Sequence, residues 1–455
     1  MTRALRLLAC LLLASLFVAA VHDVSQAWDV WYYHLPFAAR IWGIVPADAY
    51  AFHAENVSRW EGFPLFGEAL QGLLWKVTGS PACSNLLAFS TIPLHAWFLR
   101  RTFDVPWPAT VIALVAIPMV MIHATSGYLD LPANAWASIL VLLVWRLHGT
   151  TAPRDAPTLA IALGAAAATV NTKFQLVPLV VVSLAALLPW LVGRSRRRML
   201  VAALALPLVF ATPLKNLAVH GNPVYPVSVE VLGHTLPGPE SEYVASPQWL
   251  TDAPRPVRWA CSVLEIRATK RWTIDQWTPP DDPGYRMGGF FGPYVVLNLA
   301  LFAWTVWKRG DRRVRAAGVV VLGLTAMVSV MPQSHELRYY AVWMIALVSI
   351  NLVLHARERP KLVGLTSAAT LAIVIVLTKG TYVLPTGSSF RSLLAAKTSP
   401  ETVARLRALP PGTAAACLDA RPWTFLYAAP FHERAAWKIQ ESATAADCRD
   451  LVRFE

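Results

Sequence analysis

Asp29 and His34 stand five residues apart in Trp28-Asp29-Val30-Trp31-Tyr32-Tyr33-His34-Leu35-Pro36, directly after the first long apolar run. A second acid, Asp130, lies in Gly127-Tyr128-Leu129-Asp130-Leu131-Pro132, between two further apolar runs. Glu61 and Glu68 follow in Glu61-Gly62-Phe63-Pro64-Leu65-Phe66-Gly67-Glu68, and three cations fall at the ends of apolar runs: Lys173, Lys215 and Arg338, the last in Ser334-His335-Glu336-Leu337-Arg338-Tyr339. Ionisable side chains beside hydrocarbon are costly unless they are paired or used. A carboxylate can take the proton of an attacking hydroxyl, and cations can stabilise the charge that develops on a departing phosphate. Together they suit group transfer from a lipid phosphate at headgroup depth. Each residue also has a plainer reading. Asp29 and Asp130 can cap helices, the glycine and prolines of Gly221-Asn222-Pro223-Val224-Tyr225-Pro226 can fix a corner, and most of the 19 Trp suit an interfacial aromatic belt.

The elements that must position these residues follow from composition. Of 455 residues, 56% are hydrophobic and only 15% charged, while Lys+Arg 40 and Asp+Glu 27 leave a net charge of +13. A nucleic-acid-binding domain would need more charge, and a disordered chain fewer apolar residues. Long, nearly charge-free stretches instead predict an all-α polytopic membrane protein, since about 20 helical residues cross a hydrocarbon core. Eleven spans are expected, at residues 4–21, 83–99, 106–123, 130–147, 157–172, 175–192, 199–214, 290–307, 315–331, 339–355 and 361–378.

The short connections set the orientation. With the N-terminus in the cytoplasm, the connections assigned inside carry 18 Lys and Arg, from Arg3 to Lys361, against four acids, a net +14 that leaves −1 for everything else. This is the positive-inside pattern. Arg3 and Arg6 before an apolar run also fit a signal peptide, but an uncleaved first helix is expected, and Cys10 has too little hydrophobic sequence before it for a lipoprotein site. Outside fall residues 22–82, 215–289, 332–338 and a tail from 380 to 455. In the first loop, Tyr33, Phe37 and Ile41 recur every four residues, a stripe suited to an interfacial helix. The tail, with a helix expected at 399–409 and then alternating apolar and polar residues, reads as a small α/β periplasmic appendage. The division is thus residues 1–379, transmembrane and carrying the chemistry, and 380–455, periplasmic. Cys417 and Cys448 both fall in the tail, where a disulfide can form, and no CxxC or HxxxH zinc spacing occurs. Asn56-Val57-Ser58 matches a glycosylation sequon.

The ordered motifs resemble a known family. WDVWYYHLPFAARIWG (residues 28–43) is similar to the first outer loop of bacterial integral-membrane glycosyltransferases of the GT-C superfamily, in the protein O-mannosyltransferase and aminoarabinose transferase group. EGFPLFGEAL (61–70) resembles the second half of that loop. PLKNLAVHGNPVYP (213–226) resembles the N-x-x-x-x-GNPxYP signature, and HELRYY (335–340) the late E-x-RY element. The similarity runs in order over residues 25–345. It implies a hexosyl- or pentosyltransferase of the bacterial inner membrane that moves a sugar from a polyprenyl-phosphate donor to a lipid, glycan or protein acceptor at the periplasmic face. Asp29 would be the base or acceptor-orienting group and Asp130 its assistant or a cation ligand. Lys173 and Arg338 would hold the donor phosphate, with Tyr33, His34, Glu68 and Glu336 as substrate contacts. A divalent cation is an open question, since no DxD spacing stands near Asp29. A flippase or transporter for lipid-linked sugars, or an O-antigen-type polymerase or ligase, is the alternative. A transporter predicts ionisable residues deep in the spans and inverted repeats, and the acids here lie at span ends.

Overall fold

The computed structural model describes residues 3–149, 155–193, 195–231, 233–241, 246–267, 272–274, 287–355, 360–410, 415–433, 435–442 and 452–454. Nineteen α-helices occur among them, and all eleven expected segments fall on helices or helix pairs. Five helices have the length and apolarity to cross a membrane: Arg3–His22, Pro81–Phe103, Asp130–Gly149, Phe174–Val192 and Arg312–Val330. A sixth results if the bent pair Arg196–Val209 and Ala211–His220 is one span, and Ala156–Val170, Val342–His355 and Val363–Leu377 are shorter apolar helices.

The chain itself explains the interruptions. The segment expected over 106–123 breaks into Trp107–Val115 and Pro118–His123, because Pro118 lacks an N–H and holds Ile117 extended. Pro213 likewise cannot donate to the carbonyl of Val209, four residues back. Asn171 closes the resulting 56° bend: its amide donates to the carbonyls of Leu208 and Val209 at 3.1 Å, and its carbonyl accepts from the Thr212 backbone N–H at 3.0 Å.

At the centre stand Asp130–Gly149, buried along most of its length, and Val342–His355, buried at every residue. Asn134 joins the start of the first to the start of the second. Its amide donates to the carbonyls of Asp130 (2.8 Å) and Arg338 (3.0 Å), and its own carbonyl accepts from the Val342 N–H (2.8 Å).

The first outer loop folds over this end with the helices Leu35–Ile41, Ala54–Gly62 and Phe66–Thr78. Its expected lipid-facing stripe instead faces protein. Tyr33 and Phe37 are buried, Phe37 packing on Phe52 and Trp60 with ring centres 5.2 and 5.4 Å away, and only Ile41 is exposed. The reason is the tail, which shares a core with the loop: Trp31 and Tyr50 pack with Phe425, and Trp75 stacks on Phe431. The loop also supplies a strand. In a parallel sheet, Tyr50–Ala51 pairs with Ile439–Glu441, which pairs with Ala416–Leu418, which pairs with Val452–Phe454. Helices Phe390–Lys397 and Pro400–Arg407 precede these strands. Asn56 of the sequon is fully buried. Cys417 lies buried on the strand Ala416–Leu418, whereas Cys448 lies outside the described residues.

Candidate active site

Four elements converge on the ends of the central helices that Asn134 joins. The first is the stretch after Arg3–His22, where a π-turn at Val30–His34 is closed by the Leu35 N–H donating to the carbonyl of Val30. The second is the start of Asp130–Gly149, and the third the tip at Lys173 between Ala156–Val170 and Val177–Val192. The fourth is the short 3-10 turn Leu337–Tyr340. Small residues let them close up. A Cβ on Gly127 would meet Val30 Cγ1 at 2.8 Å, and one on Gly67 would meet Leu129 Cδ1 at 2.5 Å.

The plain capping readings do not describe the two aspartates. Asp29 makes no capping hydrogen bond. It accepts from Arg338 Nη1 at 3.3 Å, at the edge of the site with its side chain 24% exposed. Asp130 is the first residue of its helix, but its oxygens accept no hydrogen bond among the described residues. Oδ1 lies 3.2 Å from Lys173 Nζ, with the carboxylate 2% exposed. Two carboxylate–cation pairs therefore stand side by side.

Arg338 ties them together. Its Nε lies 3.6 Å from Glu336 Oε2, its Nη2 donates to the Tyr339 hydroxyl at 2.9 Å, and its guanidinium covers the rings of Tyr128 (4.9 Å) and Tyr339 (4.8 Å). Lys173 approaches the same Tyr339 ring at 5.7 Å. Burial pushes the Glu336 carboxyl above its usual range against the pull of Arg338, and the nearby charges of Asp29 and Asp130 push the same way as burial. The Tyr33 phenol is pushed far up by burial and then by Asp29, so it stays neutral.

The structure brings Tyr33, His34, Glu68 and Glu336 together with these two pairs. Glu68, on Phe66–Thr78, pairs with His34, Nδ1 to Oε1 at 2.8 Å, and the Tyr33 ring lies 4.3 Å from the imidazole. Two other charges noted in the sequence serve elsewhere. Lys215 donates to the carbonyl of Glu61, so it ties the helix Ala211–His220 to the first loop, and Glu61 is exposed. The Gly221–Pro226 turn is built as a corner: Asn222 donates to the carbonyls of Val227 and Pro237, and Asn216 to those of Gly62 and Tyr225. Sequence reasoning passed over Tyr128, Tyr339 and Asn134. Their neighbours in the motifs, Asp130 and Arg338, were the available signal.

A metal finds no evident set of ligands. Among the described residues no three His, Cys, Asp or Glu side chains gather as they would around an ion, and both aspartates face cations. What the arrangement offers is a carboxylate at the site's edge, two cations beside it, and aromatic walls.

Two solved structures share this fold over nearly the whole chain. ArnT from Cupriavidus metallidurans in the apo state has a TM-score of 0.58 at 14% identity, covering 98% of this chain and 88% of that one. ArnT from the same organism bound to undecaprenyl phosphate gives 0.53 at 14% identity, covering 98% and 86%. No family model and no curated protein matches the sequence. The chain thus has the fold of ArnT.

Proposed function

We propose that this protein is a glycosyltransferase of the bacterial inner membrane, moving a sugar from a polyprenyl-phosphate donor to an acceptor hydroxyl at the periplasmic face. The observation that carries the reading is the adjacency of the pairs Asp29–Arg338 and Lys173–Asp130 at the outer end of an ArnT-like bundle. A neighbour of the same fold bound to undecaprenyl phosphate supports the lipid class. Charges gathered at helix ends suit transfer at a surface better than passage through the bundle.

The chemistry assigns roles. Arg338 and Lys173 receive the donor phosphate, exchanging carboxylate oxygens for phosphate oxygens. That exchange frees Asp29, at the edge of the site, to face the acceptor. The acceptor oxygen attacks the anomeric carbon, and Asp29 takes its proton. The bond from that carbon to the phosphate oxygen breaks, and the lipid phosphate leaves with the electron pair, held by the two cations. Asp130 pairs with Lys173 until the phosphate displaces it, and Tyr128 and Tyr339 keep water from Arg338.

The test uses a deletion strain expressing Asp29→Asn or Asp130→Asn, with its glycans and glycolipids compared by mass spectrometry. Asp29→Asn is expected to lower product by about 100-fold or more, the scale of general-base loss. Product at wild-type level in both variants would overturn the assignment.

A further inference from the structure

The pair His34–Glu68 has a geometry that the transfer step above leaves unused. A π-turn advances about 4.4 residues per turn, so residues five apart come nearly onto one face. The π-turn at Val30–His34 brings this geometry to the segment that joins Asp29 to His34.

The imidazole is fully enclosed, with both side chains of the pair 2% exposed. Glu68 is held firmly. Its helix, Phe66–Thr78, meets Leu129 at Gly67, and Gln71 Nε2 donates to the carbonyl of Gly127 at 2.7 Å. A carboxylate only accepts, so the 2.8 Å contact places the proton on Nδ1. In the neutral ring Nε2 is then a bare acceptor. Among the described residues it has no hydrogen-bond partner. The ring stands edge-on to Tyr128 at 6.1 Å, and Tyr128 also carries the Arg338 guanidinium. His34 is therefore beside the place where the donor phosphate is held, where the sugar bonded to that phosphate would come next.

We infer that His34 Nε2 accepts a hydrogen bond from a hydroxyl of the donor sugar, and that Glu68 is the positioning residue that fixes its tautomer. The inference rests on the transferase reading. It makes this subsite a selector: a buried acceptor rejects a sugar lacking the matching hydroxyl, because the nitrogen is then left unpaired. Asp29 remains the group that takes the acceptor's proton.

The experiment uses the full-length protein and two readouts. Glycolipid product is measured by mass spectrometry in the deletion strain, and binding of undecaprenyl phosphate by tryptophan fluorescence of purified protein. In His34→Asn the amide nitrogen stands near Nδ1, so the contact to Glu68 is kept and Nε2 is lost. In His34→Gln the amide group reaches the Nε2 position and can accept there. His34→Asn is expected to lower product by about tenfold or more with undecaprenyl phosphate affinity within about twofold of wild type. His34→Gln should restore most of the product. Glu68→Gln, which still accepts from Nδ1, should retain more product than Glu68→Leu. His34→Asn at wild-type product would overturn the inference and leave the transferase reading standing. So would an equal loss of product and lipid binding, since that places His34 in phosphate binding or folding. A wild-type protein that binds no undecaprenyl phosphate would overturn both.

Discussion

Arg338 touches Asp29, Glu336, Tyr128 and Tyr339 at once, a set of contacts that only a planar, forked side chain can make. Lysine brings the charge without the fork. Arg338→Lys is therefore expected to weaken undecaprenyl phosphate binding by about tenfold, the worth of one charge-assisted hydrogen bond, as titration of tryptophan fluorescence would show. Lys173→Met should weaken it as well. Asp130→Asn should do the opposite, because it removes the carboxylate that competes with phosphate for Lys173, 3.2 Å away. Equal or tighter binding with reduced product is the expected signature, and weaker binding in Asp130→Asn would argue against a phosphate role for Lys173. These residues were legible in the sequence because charge at the end of an apolar run is costly and so conspicuous. Tyr128 and Asn134 were not, since an interfacial tyrosine and an asparagine one helical turn past Asp130 look ordinary until their partners are known. Lys215 shows the converse: its charge drew notice, but it serves the carbonyl of Glu61.

Elements rather than single residues set the distance between the two aspartates. The Asp29 strand of chain and the Asp130 helix approach at Gly127, where a Cβ would come 2.8 Å from Val30 Cγ1. Overpacking at such a contact costs about 1–3 kcal/mol. Gly127→Ala should thus lower the melting temperature and the glycolipid product together, and adding Val30→Ala, which removes the opposing methyls, should restore both. If the double variant stays as impaired as the single one, the close approach is not what Gly127 provides. The eleven helical segments could be placed from hydropathy alone, because a run of apolar residues suffices to locate a buried helix. Their breaks could not be placed in the same way. Pro118 was visible, but whether it kinks or ends a helix depends on its neighbours, and here the carbonyl of Gly289 takes the Met119 N–H at 2.7 Å. The π-turn at Val30–His34 left no sequence mark either, since one extra residue in a turn does not alter composition. The stripe of Tyr33, Phe37 and Ile41 was periodic as expected, yet periodicity says that a face is apolar and not what covers it.

Across the whole molecule, the net charge of +13 first suggests an acidic partner, but its excess lies in the connections assigned inside, and the tail and the candidate site belong to segments assigned to the opposite face. The tail binds the first outer loop there through a shared sheet, and Glu441 stands at the joint. It accepts from Asn56 Nδ2 at 3.0 Å and from the His53 backbone N–H at 3.4 Å, while Asn56 also donates to the carbonyl of Tyr32, in the same turn as His34. Burial pushes the Glu441 carboxyl from 4.5 up to about 7, against the pull of Asn56, His53, Tyr50 and Arg421. The docked tail therefore holds a proton that the undocked tail releases. By linkage, the stabilisation is complete below about pH 4.5 and is lost as pH rises through about 7, a change on the order of 3 kcal/mol. Hydrogen exchange of the strands Ala416–Leu418 and Ile439–Glu441, corrected for the intrinsic rate, should show weaker protection at pH 8 than at pH 5. Glu441→Gln keeps an acceptor without a titrating charge, so its protection should be flat across that interval and exceed wild type at pH 8. Equal protection of the wild-type strands at both values would mean that the buried carboxylate does not govern docking. Because Asn56 links Glu441 to the turn that carries His34, loss of docking should also loosen that turn. In the same experiment, then, amides of residues 30–35 should lose protection in step with the strands.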